Sequence, residues 1–145
     1  GTSDIRNSKI RWLLDEPDIE DILLRGVNKL NGSCFNVDIT QAIDQIQFTE
    51  YDEQYKGKYD WHHDVDWGNE KNYDRKLSIV VQLSDGDDYE GCNFEFSEVQ
   101  SPPPEQFRKQ GSVLVFPSYL THRVTEITRG TRRSLVAWVR GPRWR

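Results

Sequence analysis

In the stretch Leu77-Ser78-Ile79-Val80-Val81-Gln82-Leu83, the apolar residues Leu77, Ile79, Val81 and Leu83 alternate with Ser78, Val80 and Gln82. Successive side chains of an extended chain point to opposite sides, so the spacing predicts a strand with one fully apolar face. The same period of two recurs on either side. Upstream, from about Asp38, Ile46 and Phe48 alternate with Gln45, Gln47 and Thr49 and lead to Tyr51, and Lys56-Gly57-Lys58 supplies a turn. Downstream, Cys92 to Phe96 predicts a short strand, and Ser112 to Phe116 a buried one closed by Pro117-Ser118. Residues 121–127 and 132–139 form the last two strands, with a turn around Arg129-Gly130. Ser101-Pro102-Pro103-Pro104 is a stiff connector, too short to divide domains. At the other end, Trp12, Leu13 and Leu14 mark a short strand within residues 1–14. Asp15-Glu16-Pro17-Asp18 carries the acids and proline of a first helical turn. Ile19, Ile22, Leu23, Val27 and Leu30 recur at helical spacing, and Asn31-Gly32 supplies the stop. One amphipathic helix followed by seven or eight short strands predicts a mainly β chain with helical cover, an antiparallel sandwich or barrel.

Residues 1–145 fit a single domain, with 1–40 as strand-and-helix cover and 45–142 as the β core. Hydrophobic residues are only 35% and the mean hydropathy is -0.80, but 12% aromatics, five Trp among them, argue against disorder. No apolar run approaches a membrane span and no signal peptide is visible, so no membrane partner is expected. The start Gly1-Thr2-Ser3 lacks Met and reads as processed or trimmed. Cys34 and Cys92 are too few for a disulfide framework and are expected as free thiols in a reducing cytoplasm. A net charge of -5 gives no electrostatic footprint for a nucleic acid backbone. Arg129, Arg132, Arg133, Arg140, Arg143 and Arg145 crowd the C-terminus; all but Arg132 read as a solvated edge. Ser84-Asp85-Gly86-Asp87-Asp88 lacks the ligand spacing of a calcium loop and reads as a solvated turn.

The chemistry-bearing stretch is Tyr59-Asp60-Trp61-His62-His63-Asp64-Val65-Asp66, which holds two of the three histidines beside three carboxylates. In an extended segment His62 and Asp64 point to the same side, and His122 brings a second imidazole from a distant strand. Two His and one carboxylate on one face of a metal leave the opposite positions open, the set expected for non-haem Fe(II) oxygen chemistry. His63 has Val65 as its same-side neighbour and is expected to face away. An isolated His-x-Asp is more often a surface pair, so the last strand matters. There Arg132, Ser134, Val136 and Trp138 share one face, opposite Arg133, Leu135, Ala137 and Val139. A guanidinium fork and a hydroxyl two residues apart suit a carboxylate. A small dicarboxylate would bridge a metal held by His122 and the Arg132 fork.

Taken together, Tyr59-x-x-His62-x-Asp64, Arg75-Lys76-Leu77-Ser78, Gly111 to Ser118, His122-Arg123-Val124 and Gly130-Thr131-Arg132 resemble the Fe(II)/2-oxoglutarate-dependent dioxygenases, most of all their prolyl 4-hydroxylase-like branch in its small bacterial and phage-type form. The resemblance covers roughly residues 45–142. It implies a double-stranded β-helix (jelly-roll) core, with His62, Asp64 and His122 as iron ligands. Arg132 is implied as the partner of the far carboxylate of 2-oxoglutarate, Ser134 as its hydroxyl neighbour, and Tyr51 and Gln82 as further contacts. It also implies Fe(II), the cosubstrate 2-oxoglutarate and O₂, with ascorbate as an accessory reductant, and succinate and CO₂ as coproducts. Asp64 points to hydroxylation, because halogenating relatives carry a small residue there. The implied location is the cytoplasm of a bacterium or of a phage-infected host cell. Gly91-Cys92 replaces a common glycine pair, and the N-terminal cover is short, departures that touch the substrate side.

The expected partner is a protein or peptide, hydroxylated on a prolyl or similar residue; the motifs do not encode the oligomeric state. The same chemistry on a small molecule or nucleobase is an alternative, and the acidic balance counts against nucleic acid. A non-enzymatic β-sandwich interaction module with a structural metal such as zinc is a third, against which the Arg132 clamp speaks. Segments 64–76 and 84–90 are the expected recognition loops, with Trp61, Trp67 and Tyr73 as candidate groove residues.

Overall fold

The computed structural model describes residues 5–40 and 43–144, and the Gly1-Thr2-Ser3 start lies outside them. Two antiparallel sheets face each other. The elements in order are β1 (Arg6–Asn7), β2 (Lys9–Leu13), α1 (Pro17–Leu30), β3 (Ile43–Asp52), β4 (Lys58–His62), β5 (Tyr73–Gln82), β6 (Tyr89–Gly91), β7 (Phe94–Phe96), α2 (Pro104–Phe107), β8 (Val113–Pro117), β9 (His122–Val124) and β10 (Ile127–Pro142). The larger sheet has the order β2-β3-β10-β5-β8, with β6 paired to the start of β10, and the smaller has β1-β4-β9-β7.

Alternation along the three central strands sorts the side chains into two layers. Ile46, Leu77, Ile79, Ala137 and Val139 form the outer face, covered by Leu23 and Val27 of α1. The inner face meets the small sheet around Tyr51, Val80, Phe94, Phe116 and Val124. Each of these fully buried aliphatic side chains contributes roughly 1.5–3 kcal/mol relative to exposure. The inner face also carries Gln47, Thr49, Ser78, Gln82, Arg132 and Ser134, all buried. That polarity is unusual for a sandwich interior and marks where the site lies.

Four expectations change. The helix does not stop at Asn31-Gly32: it continues as a π-type turn over Asn31–Phe35 and ends at Asn36, whose φ is 53°. The Asn31 side chain bonds Val37 in both directions, Nδ2 to the carbonyl and Oδ1 from the N–H, each at 2.9 Å, and so fixes the exit. Ile22 and Leu30 are exposed at 68% and 37%, because only the Leu23–Val27 edge of α1 reaches the sheet. The strand expected from Cys92 begins at Phe94, since Gly91 and Cys92 both have positive φ and turn the chain. No turn occurs at Arg129-Gly130, where β10 runs unbroken for 16 residues. Gly130 (φ +81°) lets the Asp88 backbone pass where a Cβ would come within 2.0 Å of its carbonyl oxygen. β9 passes into β10 without reversing, since residues 122–130 run in one direction antiparallel to 89–96. β9 belongs to the small sheet and the rest of β10 to the large one, so His122 and Arg132 are not on one hairpin.

Candidate metal centre

Pairing of β4 with β9 sets His62 directly opposite His122. Asp64 lies just past the end of β4. Its N–H donates to the Ser118 carbonyl at 2.9 Å, and the Ser118 N–H donates to the Lys76 carbonyl at 3.0 Å, which ties the loop to the large sheet. The result is a triad: one ligand atom each from His62, Asp64 and His122, all within 4.8 Å of one another. Asp64 Oδ1 is 3.6 Å from Nε2 of both histidines.

The tautomers are settled by the backbone. His62 Nδ1 lies 2.7 Å from the Asp60 carbonyl and His122 Nδ1 2.9 Å from that of Leu120. A carbonyl only accepts, so Nδ1 carries the proton and each Nε2 lone pair faces the centre. Tyr59 stacks on His62 with centroids 3.5 Å apart, while Phe94 stacks on His122 at 5.2 Å. Burial, and then the neighbouring His122, push the His62 pKa down to about 4, so the ring is neutral and able to ligate at pH 7. His63 is exposed beside Trp67 and stays outside the triad.

A cavity of about 310 Å³ opens beside the triad. Tyr51, Arg132 and Ser134 line one part of it, and Ile10, Trp12 and Trp138 another. Arg132 is 2% exposed, and its Nε donates to Gln82 Oε1 at 2.9 Å. Its Nη2 is buried without a hydrogen-bond partner. Gln82 does not reach the cavity wall. Its Nε2 donates to the Tyr89 hydroxyl at 2.8 Å, so it lies between Tyr89 and Arg132. The Tyr51 ring lies 5.7 Å from the Arg132 guanidinium, and burial raises its phenol above the ordinary value, which keeps it neutral. The other C-terminal arginines behave as a charged edge: Arg129, Arg133, Arg140 and Arg143 pair with Glu90, Glu50, Asp44 and Asp74.

The residues present fit an octahedral-preferring ion with open positions. Two imidazoles and one carboxylate converge, and the buried Arg132, which forms no ion pair among the described residues, lines a cavity large enough for a small dicarboxylate. The sequence pattern of the 2OG-Fe(II) oxygenase superfamily matches residues 46–140. The chain belongs to that superfamily. Among curated oxygenases of this kind it is 34% identical over 84 residues to a PKHD-type hydroxylase of Synechococcus sp. (strain CC9311), covering 58% of this chain and 37% of that one. It is 39% identical over 66 residues to a PKHD-type hydroxylase of Parvibaculum lavamentivorans, covering 44% and 29%. The alignments thus span about a third of these relatives. The jelly-roll fold is shared with the viral collagen prolyl hydroxylase of Paramecium bursaria Chlorella virus-1 (TM-score 0.71, 19% identity, 94% of this chain and 80% of that one). It is shared too with a Pseudomonas putida prolyl-4-hydroxylase (TM-score 0.66, 23% identity, 97% and 74%). A Trichoplax adhaerens prolyl hydroxylase, solved with a hypoxia inducible factor peptide fragment, has TM-score 0.69 and 19% identity over 96% of this chain and 65% of its own.

The aromatic wall of the cavity differs from expectation. Tyr59, Trp12 and Trp138 line the cavity beside the triad, and Trp61, Trp67 and Tyr73 do not. Trp61 lies under the Arg123 guanidinium at 4.5 Å, and Tyr73 lies under that of Arg140 at 4.5 Å. Segment 84–90 is also absent from the cavity wall, while Asn69, Lys71 and Tyr73 line a second, polar cavity of about 300 Å³ that shares Asp64, Asp66 and Arg75 with the first. Trp12 carried no motif signal; its reach into the site follows from β2 pairing with β3 opposite Gln47. Among the described residues no helix is long and apolar enough to cross a membrane.

Proposed function

We propose that this chain is an Fe(II)- and 2-oxoglutarate-dependent hydroxylase of a prolyl or similar residue in a protein or peptide, with succinate and CO₂ as coproducts. The observation that carries the reading is the buried Arg132, whose Nη2 has no hydrogen-bond partner, among the residues that line the same cavity as the His62–Asp64–His122 triad. When bound, iron supplies the redox chemistry that couples 2-oxoglutarate decarboxylation with O₂ to C–H hydroxylation. His62, Asp64 and His122 would hold it through three atoms. Arg132 and Ser134 would receive the distal carboxylate of 2-oxoglutarate, and Gln82 keeps the guanidinium plane aimed. The neutral Tyr51 phenol offers that carboxylate a hydrogen bond without repelling it. Ile10, Trp12, Tyr59 and Trp138 would give the reacting residue an apolar wall. Ascorbate enters only as an external reductant. The peptide-bound Trichoplax neighbour supports a polypeptide substrate, and two unpaired cysteines suit a cytoplasmic, reducing setting in a bacterial or phage-infected cell.

The test is an anaerobic titration of Fe(II) and 2-oxoglutarate into metal-free protein, read by visible charge-transfer absorption. Succinate release is then measured with proline-containing peptides, free amino acids and oligonucleotides as candidate substrates. Absorption that disappears in His62→Ala, with peptide-stimulated succinate, supports the reading. Tight metal binding without absorption points to a structural metal, and stimulation by an oligonucleotide or small molecule alone overturns the substrate class.

A further inference from the structure

Two stretches belong to the motif set without a chemical part so far: Arg75-Lys76-Leu77-Ser78 and Pro117-Ser118. They meet behind Asp64. Its two carboxylate oxygens have different surroundings. Oδ1 faces both histidines. Oδ2 accepts from Ser78 Oγ at 2.6 Å and from Trp138 Nε1 at 3.1 Å. Ser78 has one hydroxyl proton, committed to Asp64, so Ser118 Oγ at 2.9 Å is the donor in their contact. Both serines are fully buried. Ser118 therefore holds Asp64 twice, by its carbonyl on the Asp64 N–H and through Ser78 on the side chain. The Trp138 ring is itself fixed, with the Arg75 guanidinium 3.8 Å over it and Trp12 packed at 6.3 Å.

We propose that Ser118, Ser78 and Trp138 are positioning residues that restrict Asp64 to ligation through Oδ1 alone. The inference rests on His62, Asp64 and His122 being the metal ligands. A carboxylate free to rotate can chelate with both oxygens and take one more position on the ion. Three protein atoms leave room for a chelating cosubstrate and one further ligand; a fourth removes that vacancy. Donors to a carboxylate form charge-assisted bonds, and swinging Oδ2 toward the metal would break two of them. Such outer partners orient ligands and tune their basicity.

The experiment uses Co(II), whose d–d absorption reports coordination, in the wild type, Trp138→Phe, Ser78→Ala and His62→Ala, without cosubstrate. Phe keeps an aromatic ring beside Arg75 and Trp12 and deletes the donor, at the cost of a smaller ring. The expected result is a d–d band of altered intensity in both Trp138→Phe and Ser78→Ala, with Co(II) affinity lowered about tenfold or more and metal-free melting near wild type. An unchanged band in Trp138→Phe overturns the proposal, whatever the affinity, and that variant decides if Ser78→Ala fails to fold. A wild type that does not bind Co(II), or binds it equally well after His62→Ala, removes the ligand set and the proposal with it. A wild type that binds Co(II) but not 2-oxoglutarate instead refutes the proposed function while the band comparison still stands.

Discussion

Replacing Arg132 by Met should separate ligand binding from stability. In the metal-free protein the guanidinium is 2% exposed and bonded through Nε to Gln82, with Nη2 unpartnered. It forms no ion pair with a carboxylate among the described residues. A buried charge without a counter-charge is costly, and exchanging buried ionic groups for apolar ones of similar volume is often neutral or stabilising by about 1–4 kcal/mol. Against that gain, Gln82 Oε1 loses its donor, which costs about 1–3 kcal/mol. The two nearly cancel, so the melting temperature of metal-free Arg132→Met should stay within about 5 °C of wild type. Binding of 2-oxoglutarate should behave otherwise. Truncating one side of a desolvated charge pair costs about 2–5 kcal/mol, a loss of roughly 30-fold to several thousand-fold in affinity. Anaerobic calorimetry of 2-oxoglutarate into the Zn(II)-loaded protein measures it, beside thermal melts of the metal-free form. Arg132→Lys should fall between, since it keeps the charge and loses the fork. A Met variant that binds 2-oxoglutarate within threefold of wild type, or that loses more than about 3 kcal/mol of stability, refutes the reasoning and makes Arg132 structural.

Three further outcomes are expected. Because His62 titrates near 4 in the fold and near its ordinary 6.5 in the unfolded chain, metal-free stability is full above about pH 6.5. It should then fall by up to about 3 kcal/mol as the pH drops toward 4; urea melts at pH 7.5 and 4.5 measure it, and a His62→Phe variant should lose most of this slope. Zn(II) at about 100 times its Kd should add about 2.7 kcal/mol of stability, reversed by a chelator and absent in His122→Ala, as read by the melting temperature. Gly130→Ala should cost at least about 3 kcal/mol in a denaturant melt, because its Cβ meets the Asp88 carbonyl at 2.0 Å. Gly111→Ala, also at positive φ but with nothing within 4 Å, should cost only about 1 kcal/mol.

Period and residue chemistry made much of this fold legible. Alternation correctly assigned the two faces of β5 and β10, since a strand's side chains have no third direction to take. It could not show that Gly130 lies inside a strand, because a glycine at positive φ looks the same in a turn and at a close backbone crossing. The His62-x-Asp64 spacing brought the right residues to notice for a partly different reason: β4 ends at His62, and the Ser118 carbonyl, 54 positions on, places Asp64. The Ser118–Ser78–Asp64 contacts span 40 and 14 positions and obey no period, so they become visible only once β5 and β8 are paired.

Gln82 shows how face and depth differ. Its alternation places it on the inner face with Ser134, and the register does pair Gln82 with Ser134. Yet Arg132 is the longer side chain and takes the cavity wall, while Gln82 is left behind it between Arg132 and Tyr89. A sandwich selected only for stability would fill these positions with Val or Leu, because each buried polar group needs a partner to break even. Here nearly every one has found it: Thr49 on Gln47, Gln47 on Arg6, Gln82 on Tyr89 and Arg132, and Ser78 on Asp64. The buried side-chain atom left over among the described residues is Arg132 Nη2. In an otherwise satisfied interior, one unpaired donor on a cationic residue that lines the cavity is the group that the proposed anion from solution would pair with.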